Sequence, residues 1–238
     1  MLARKIMYTE ACYPAGILLL AFGTMLMQKA DLGMSMVVAP AYLIFRKISG
    51  FLPWYTFGMS EFLFQAVILL LLGILVKRFR LSYLFSFLTA FLYGLTLDLF
   101  SLVFSFFEPS SLSFRIVCYS VGILVVALGV SFFFLSYFPP EAYELFVMVL
   151  SRRYRWKLST VKTVYDAVSC LTGVILSFSF FGFGRVEGVK IGTLVSAVVT
   201  GPLIGLFGRM LEAGFSFTDL WGGRRFFDNL DGGSDLSP

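Results

Sequence analysis

Of 238 residues, 58% are hydrophobic, 18% aromatic and 14% charged, at a mean hydropathy of +0.88, which leaves too little polar material to coat a water-soluble globule. The net charge of +5 does not mark a nucleic-acid surface, because the cations flank apolar stretches and read as membrane topology. There is no His, the only asparagine is Asn229, and Cys12, Cys118 and Cys170 are unclustered, which argues against Ser-His-Asp or Cys-His catalysis, histidine-ligated metal and a disulfide framework.

Six stretches are long enough to cross a hydrocarbon core as helices of about 20 residues: roughly 13–31, 54–76, 82–107, 114–138, 160–183 and 189–211. Runs such as "AVILLLLGILV" (66–76) do not alternate in polarity as barrel strands do. Residues 1–12 read as a cytosolic N-terminus. The span that follows lacks a small-x-small cleavage site and is expected to stay as an anchor, closed at its outer end by Lys29 and Asp31. The segment 34–48 is apolar but only 15 residues long, contains Pro40 and ends on basic residues, so a re-entrant or interfacial helix is expected. Residues 139–153, Pro-led and again basic at the end, form its counterpart.

Ionisable side chains inside spans are costly and are functional candidates by default. The chain has three, Glu61, Asp98 and Asp166. Counted along their helices, Glu61 and Asp98 fall at a similar depth below the outer face, so two carboxyls in one dry cavity are expected to hold a proton between them. Gln65, one turn from Glu61, adds a hydrogen-bonding group. Asp166 is expected to pair with Lys162 four residues earlier, near the inner interface. In the last span Gly188, Gly192, Ser196 and Thr200, and beside them Ala197, Gly201 and Gly205, recur four apart as packing faces. Pro202 removes a backbone donor in mid-span and is expected to bend or break the helix after Gly201. Residues 213–238 read as a frayed cytosolic tail with one surface-lying turn at Trp221 and Phe226-Phe227.

The chain also repeats itself. "GILLLAFG" (16–23) and "GILVVALG" (122–129) share five letters in eight at an offset of 106; "AFLYGLTLDLF" (90–100) aligns with "AVVTGPLIGLF" (197–207) at 107, and Glu61 falls opposite Asp166 at 105. Loops tolerate such one-residue changes. The expected fold is therefore an all-α polytopic membrane protein of six transmembrane helices, built as two three-helix repeats, 13–108 and 109–212, each with a short re-entrant or interfacial helix. Three spans per copy is an odd number, so the second copy enters the membrane inverted. Twelve cations then fall inside, among them Arg4, Lys5, Arg78, Arg80, Arg224 and Arg225, against six outside, which puts both termini in the cytosol.

"AFG" (21–23) and "ALG" (127–129), "KADLG" (29–33), the Lys162 to Asp166 pair, "GVKIGT" (188–193) and Gly201-Pro202 resemble the YczE/YyaS/YitT group of bacterial integral membrane proteins over most of residues 16–208. The resemblance implies a location in the bacterial cytoplasmic membrane and no settled activity. It fails at one place: relatives carry a Pro-Trp-Asp-like stretch soon after the "LG", where this chain has Ser35, Met36 and Val37.

Inverted repeats are a frequent construction of secondary transporters, with the site near the midplane between the halves. The expected function is alternating-access transport of an unidentified small molecule, with proton coupling through the buried carboxyls. The substrate- or proton-binding candidates are Glu61, Asp98, Gln65, Lys29, Asp31 and Asp166. The alternatives are a substrate-binding subunit of an ATP-driven importer and a non-transporting accessory or scaffold. No G-x-x-x-x-G-K-[ST] loop occurs, and no enzyme activity, cofactor or metal is expected. The expected partners are the lipid bilayer and, as an option, further copies of the chain, with no nucleic acid.

Overall fold

A computed structural model of the chain describes residues 5–77, 82–182, 187–220 and 223. Arg4, Arg78, Arg80, Trp221, Arg224, Arg225, Phe226 and Phe227, used in the topology and tail arguments, lie outside the described residues. The chain runs β1 (Lys5–Tyr8), α1 (Thr9–Ala30), α2 (Ala39–Ile48), α3 (Phe57–Val76), α4 (Ser82–Val103), α5 (Leu112–Leu135), α6 (Ala142–Tyr154), α7 (Leu158–Phe181), α8 (Ile191–Gly214) and β2 (Phe215–Thr218). Six of the eight helices described are long and apolar enough to cross a membrane; α2 and α6, at 10 and 13 residues, are too short. The order long, short, long, long thus occurs twice.

Local chemistry sets the boundaries. Thr56 begins α3 by accepting a hydrogen bond from Met59 N at 3.1 Å, and Ser111 begins α5 by accepting one from Phe114 N at 3.2 Å. Pro40 occupies the first turn of α2, where its missing N–H costs nothing. Asp31 ends α1 in the left-handed region at φ 50°. Pro202 does not break α8: the helix continues unbroken through it to Gly214. The lost donor leaves only the carbonyl of Val198, four residues back, without its helical bond.

The repeated octets explain the centre of the bundle. A side chain placed at Gly16 would meet Gly129 O at 3.1 Å, and one at Gly23 would meet Gly122 O at 2.8 Å. The pairing of early with late residues makes α1 and α5 antiparallel, and backbones this close require glycine. Both helices bury 56% of their apolar window, against 17% for α7 and α8 at the periphery. The small-residue faces of α8 divide accordingly. Gly192 packs against Leu32 O and the Tyr119 ring, whereas Gly201 and Gly205 have no atom within 4 Å of a placed Cβ. The packing expected for Gly201 and Gly205 is therefore absent among the described residues; Gly94, the residue aligned with Gly201, does pack, against Gly58 of α3.

The two short helices begin inside the bundle. Ala142 at the head of α6 donates its N–H to Gln65 Oε1 at 3.2 Å, midway along α3, and the preceding carbonyls of Pro139 and Pro140 accept from Thr89 at 3.1 Å and Ser86 at 2.8 Å. These bonds satisfy irregular backbone far from solvent. Ala39 at the head of α2 lies 3.6 Å from a Cβ placed at Gly173 of α7. From there α2 runs to the exposed ion pair Arg46–Glu187, and α6 to exposed Arg152 and Arg153.

Residues 215–218 are not frayed. They pair in parallel with Lys5–Tyr8, and Asp219 accepts from Thr9 Oγ1 at 2.7 Å. This pair defines the strand end of the bundle. Asp31, Arg115 and Lys190 meet at the far end.

Candidate functional site: a buried carboxyl cluster

Glu61 and Gln65 stand one turn apart on α3, and both are fully buried. Tyr143 of α6 donates its hydroxyl to Glu61 Oε2 at 2.7 Å, and Gln65 Nε2 lies 3.4 Å from the same oxygen. Among the described residues Glu61 Oε1 has no hydrogen-bond partner. Since Gln65 Oε1 is committed to the head of α6, the amide orientation is fixed by two neighbours, and it turns its donor towards Glu61.

The cluster continues along α6 towards the strand end. Glu141, directly before the helix, is 4% exposed and its Oε1 also lacks a partner. Burial raises its carboxyl well above the usual carboxylate range, and the neighbouring Glu144 and Glu61 charges push the same way. A carboxyl at a helix N-terminus also meets the positive end of the backbone dipole. Glu144, one turn on, lies 3.8 Å from Lys162 Nζ of α7, and Lys162 lies 3.1 Å from Asp166. Burial raises Glu144 while the ammonium of Lys162 opposes that rise.

Four carboxyl groups thus line one path, and Glu144 and Asp166 share the ammonium of Lys162. Side-chain exposure falls from 33% at Lys162 and 22% at Asp166 to 12% at Glu144, and vanishes at Glu61. Glu61 and Glu141 have no cation within ion-pair distance among the described residues, and an unpaired carboxylate in a dry interior carries a solvation cost of several kcal/mol. Among the described residues no three carboxylate or thiol groups converge as a metal site would require.

The remaining candidates fall elsewhere. Asp98 accepts from Thr56 Oγ1 at 2.6 Å and from Gly58 N at 2.8 Å, so it holds the start of α3 and shares no partner with Glu61. Asp166 pairs with Lys162 as their spacing suggests, and Glu144 joins them. Lys29 and Asp31 line a cavity at the far end, where Asp31 pairs with Arg115 at 3.0 Å and with Lys190. Gly192 packs at the far end, and Gly201, Pro202 and Gly205 take no part in the cluster. Sequence reasoning missed Glu141, Tyr143 and Glu144, because it left 139–153 as either a re-entrant or an interfacial helix and so did not place its acids in the interior. The available signal was two glutamates inside the otherwise apolar "PPEAYELF" (139–146).

A family model described as a family of unknown function, DUF6198, matches residues 7–209. The chain is 27% identical over 207 residues to the "Uncharacterized protein YyaS" of Bacillus subtilis (strain 168), covering 85% of this chain and 94% of that protein. No solved structure matches the chain.

Proposed function

The chain belongs to the DUF6198 family of unknown function, and on the strength of its buried carboxyl cluster we propose that this multi-pass membrane protein is a proton-coupled carrier of a small molecule. The observation that carries the reading is Glu61: a fully buried carboxyl with one oxygen unpartnered, linked through Tyr143 and α6 to Lys162 and Asp166 at the bundle surface. Such a graded path lets a proton arrive from one end and wait at the centre of the bundle.

Alternating access through inverted repeats is supported by the way contacts exchange between the halves. Gly16 aligns with Gly122 and Gly23 with Gly129, yet Gly16 packs on Gly129 and Gly23 on Gly122. That reciprocity is what a two-fold axis perpendicular to the helices produces. Likewise α2 packs on α7 while α6 packs on α3. The two short helices carry related cores, "AYLIF" (41–45) and "AYELF" (142–146). Two half-helices aimed at the bundle interior from opposite ends suit a carrier that opens one side at a time. The excess of cations assigned to the strand end of the full sequence supports a cytosolic position for that end, in the bacterial cytoplasmic membrane.

The test is proton movement in vesicles containing a pH-sensitive dye and the purified full chain, challenged with gradients from a panel of small metabolites. Wild type is expected to change lumenal pH with at least one gradient, and Glu61→Gln to fall to the protein-free rate while eluting as a folded species. The reading is rejected if no gradient moves protons, or if Glu61→Gln matches wild type.

A further inference from the structure

The proton cluster makes no use of the far end, where a cavity of about 590 Å3 opens between the end of α1, α2 and the starts of α5 and α8. Its volume is within the range of small-molecule sites, roughly 300–1,000 Å3. Four cations line it, Lys29, Arg46, Arg115 and Lys190, against the carboxylates of Asp31, Glu108 and Glu187. Their pairing is uneven. Arg115 and Lys190 both spend their charge on Asp31, and Arg46 is matched by Glu187 at 3.2 Å. Lys29 and Glu108 have no ion-pair or hydrogen-bond partner among the described residues; the Lys29 ammonium is available, and the cations of the wall outnumber its carboxylates by four to three.

Two further features favour an anion beside it. Helices α5 and α8 both start at this end, so their positive backbone termini face the same region. Gln28, next to Lys29 on the cavity wall, keeps its carbonyl oxygen buried without a donor, a place for a hydroxyl or ammonium on the same ligand. Tyr42 and Phe107 supply apolar wall.

We propose that this cavity binds a small organic molecule by its oxyanion, a carboxylate or phosphate, with Lys29 as the anchoring charge. As the substrate class of the carrier this rests on the transport reading, whereas binding itself does not. Purified full chain in detergent would be titrated with potassium lactate, potassium phosphate and choline chloride, at ionic strength matched with potassium chloride, and followed by calorimetry and thermal unfolding. Saturable binding of lactate, phosphate or both is expected, at least tenfold weaker in Lys29→Gln, restored in Lys29→Arg, and unchanged in Gly201→Ala. Lactate alone identifies a carboxylate site and phosphate alone a phosphate site. No saturable response to either, an equal response to choline chloride, or full binding by Lys29→Gln overturns the proposal. Because anion binding is read on protein in detergent and proton movement in vesicles, failure of one reading is distinguishable from failure of the other.

Discussion

Asp98 shows how little of a residue's role is fixed by its own surroundings in the sequence. It sits in an apolar run as Glu61 does, yet its two oxygens serve Thr56 and Gly58, some forty residues away in sequence, and so complete the cap of α3. Asp98→Asn keeps the shape and loses the charge, and is expected to cost about 1–2 kcal/mol, read as a fall of a few degrees in the thermal midpoint, with proton movement retained. An Asn variant of normal stability without proton movement would put Asp98 on the proton path instead. Glu61 was legible because a lone acid in "SEFLFQAVILL" (60–70) has no local partner but Gln65. The carboxyls of α6 were not, because burial of Glu141 and Glu144 depends on where a thirteen-residue helix docks, and hydropathy alone does not distinguish a helix lying on a membrane from one entering it.

Among the elements, the six long helices could be read from apolar length, with ends displaced by a few residues: 54–76 became Phe57–Val76 and 189–211 became Ile191–Gly214. The glycines were harder, since their spacing identifies a face without naming its partner. The octet glycines found each other across α1 and α5, while Gly201 and Gly205 found no partner among the described residues. Paired substitutions separate the two kinds. Gly23→Ala places a methyl group 2.8 Å from Gly122 O and from Val126 N, and is expected to cost about 1–3 kcal/mol by overpacking, with aggregation during purification. Gly201→Ala meets open space and is expected to stay within about 1 kcal/mol of wild type. Equal thermal midpoints for the two variants would contradict the antiparallel glycine seam.

For the molecule as a whole, the duplicated order of helices was visible in the sequence because each copy keeps its glycines and its short segment. What was not visible is the unequal development of the copies. Leu43 stands in "AYLIF" where Glu144 stands in "AYELF", so one half carries the buried acids and the other the cation-lined cavity. The inverted arrangement predicts that the turn after α3 and the turn before α5 face opposite sides of the membrane. In a background with the native cysteines replaced by serine, Ser110→Cys is expected to react with an impermeant maleimide in intact cells and Lys77→Cys only after permeabilisation. Equal labelling of both positions in intact cells would remove the mirrored arrangement.

The short pairing of Lys5–Tyr8 with Phe215–Thr218 bears on how α8 is kept in place. Past Ser196 the glycines of this helix meet no described atom, so its lower half is held by Leu203 and Ile204 packed on the core, by Ser131, whose hydroxyl reaches Ile204 O at 3.1 Å, and by the strand that follows. That strand acts as a leash, fastening the foot of α8 to the root of α1.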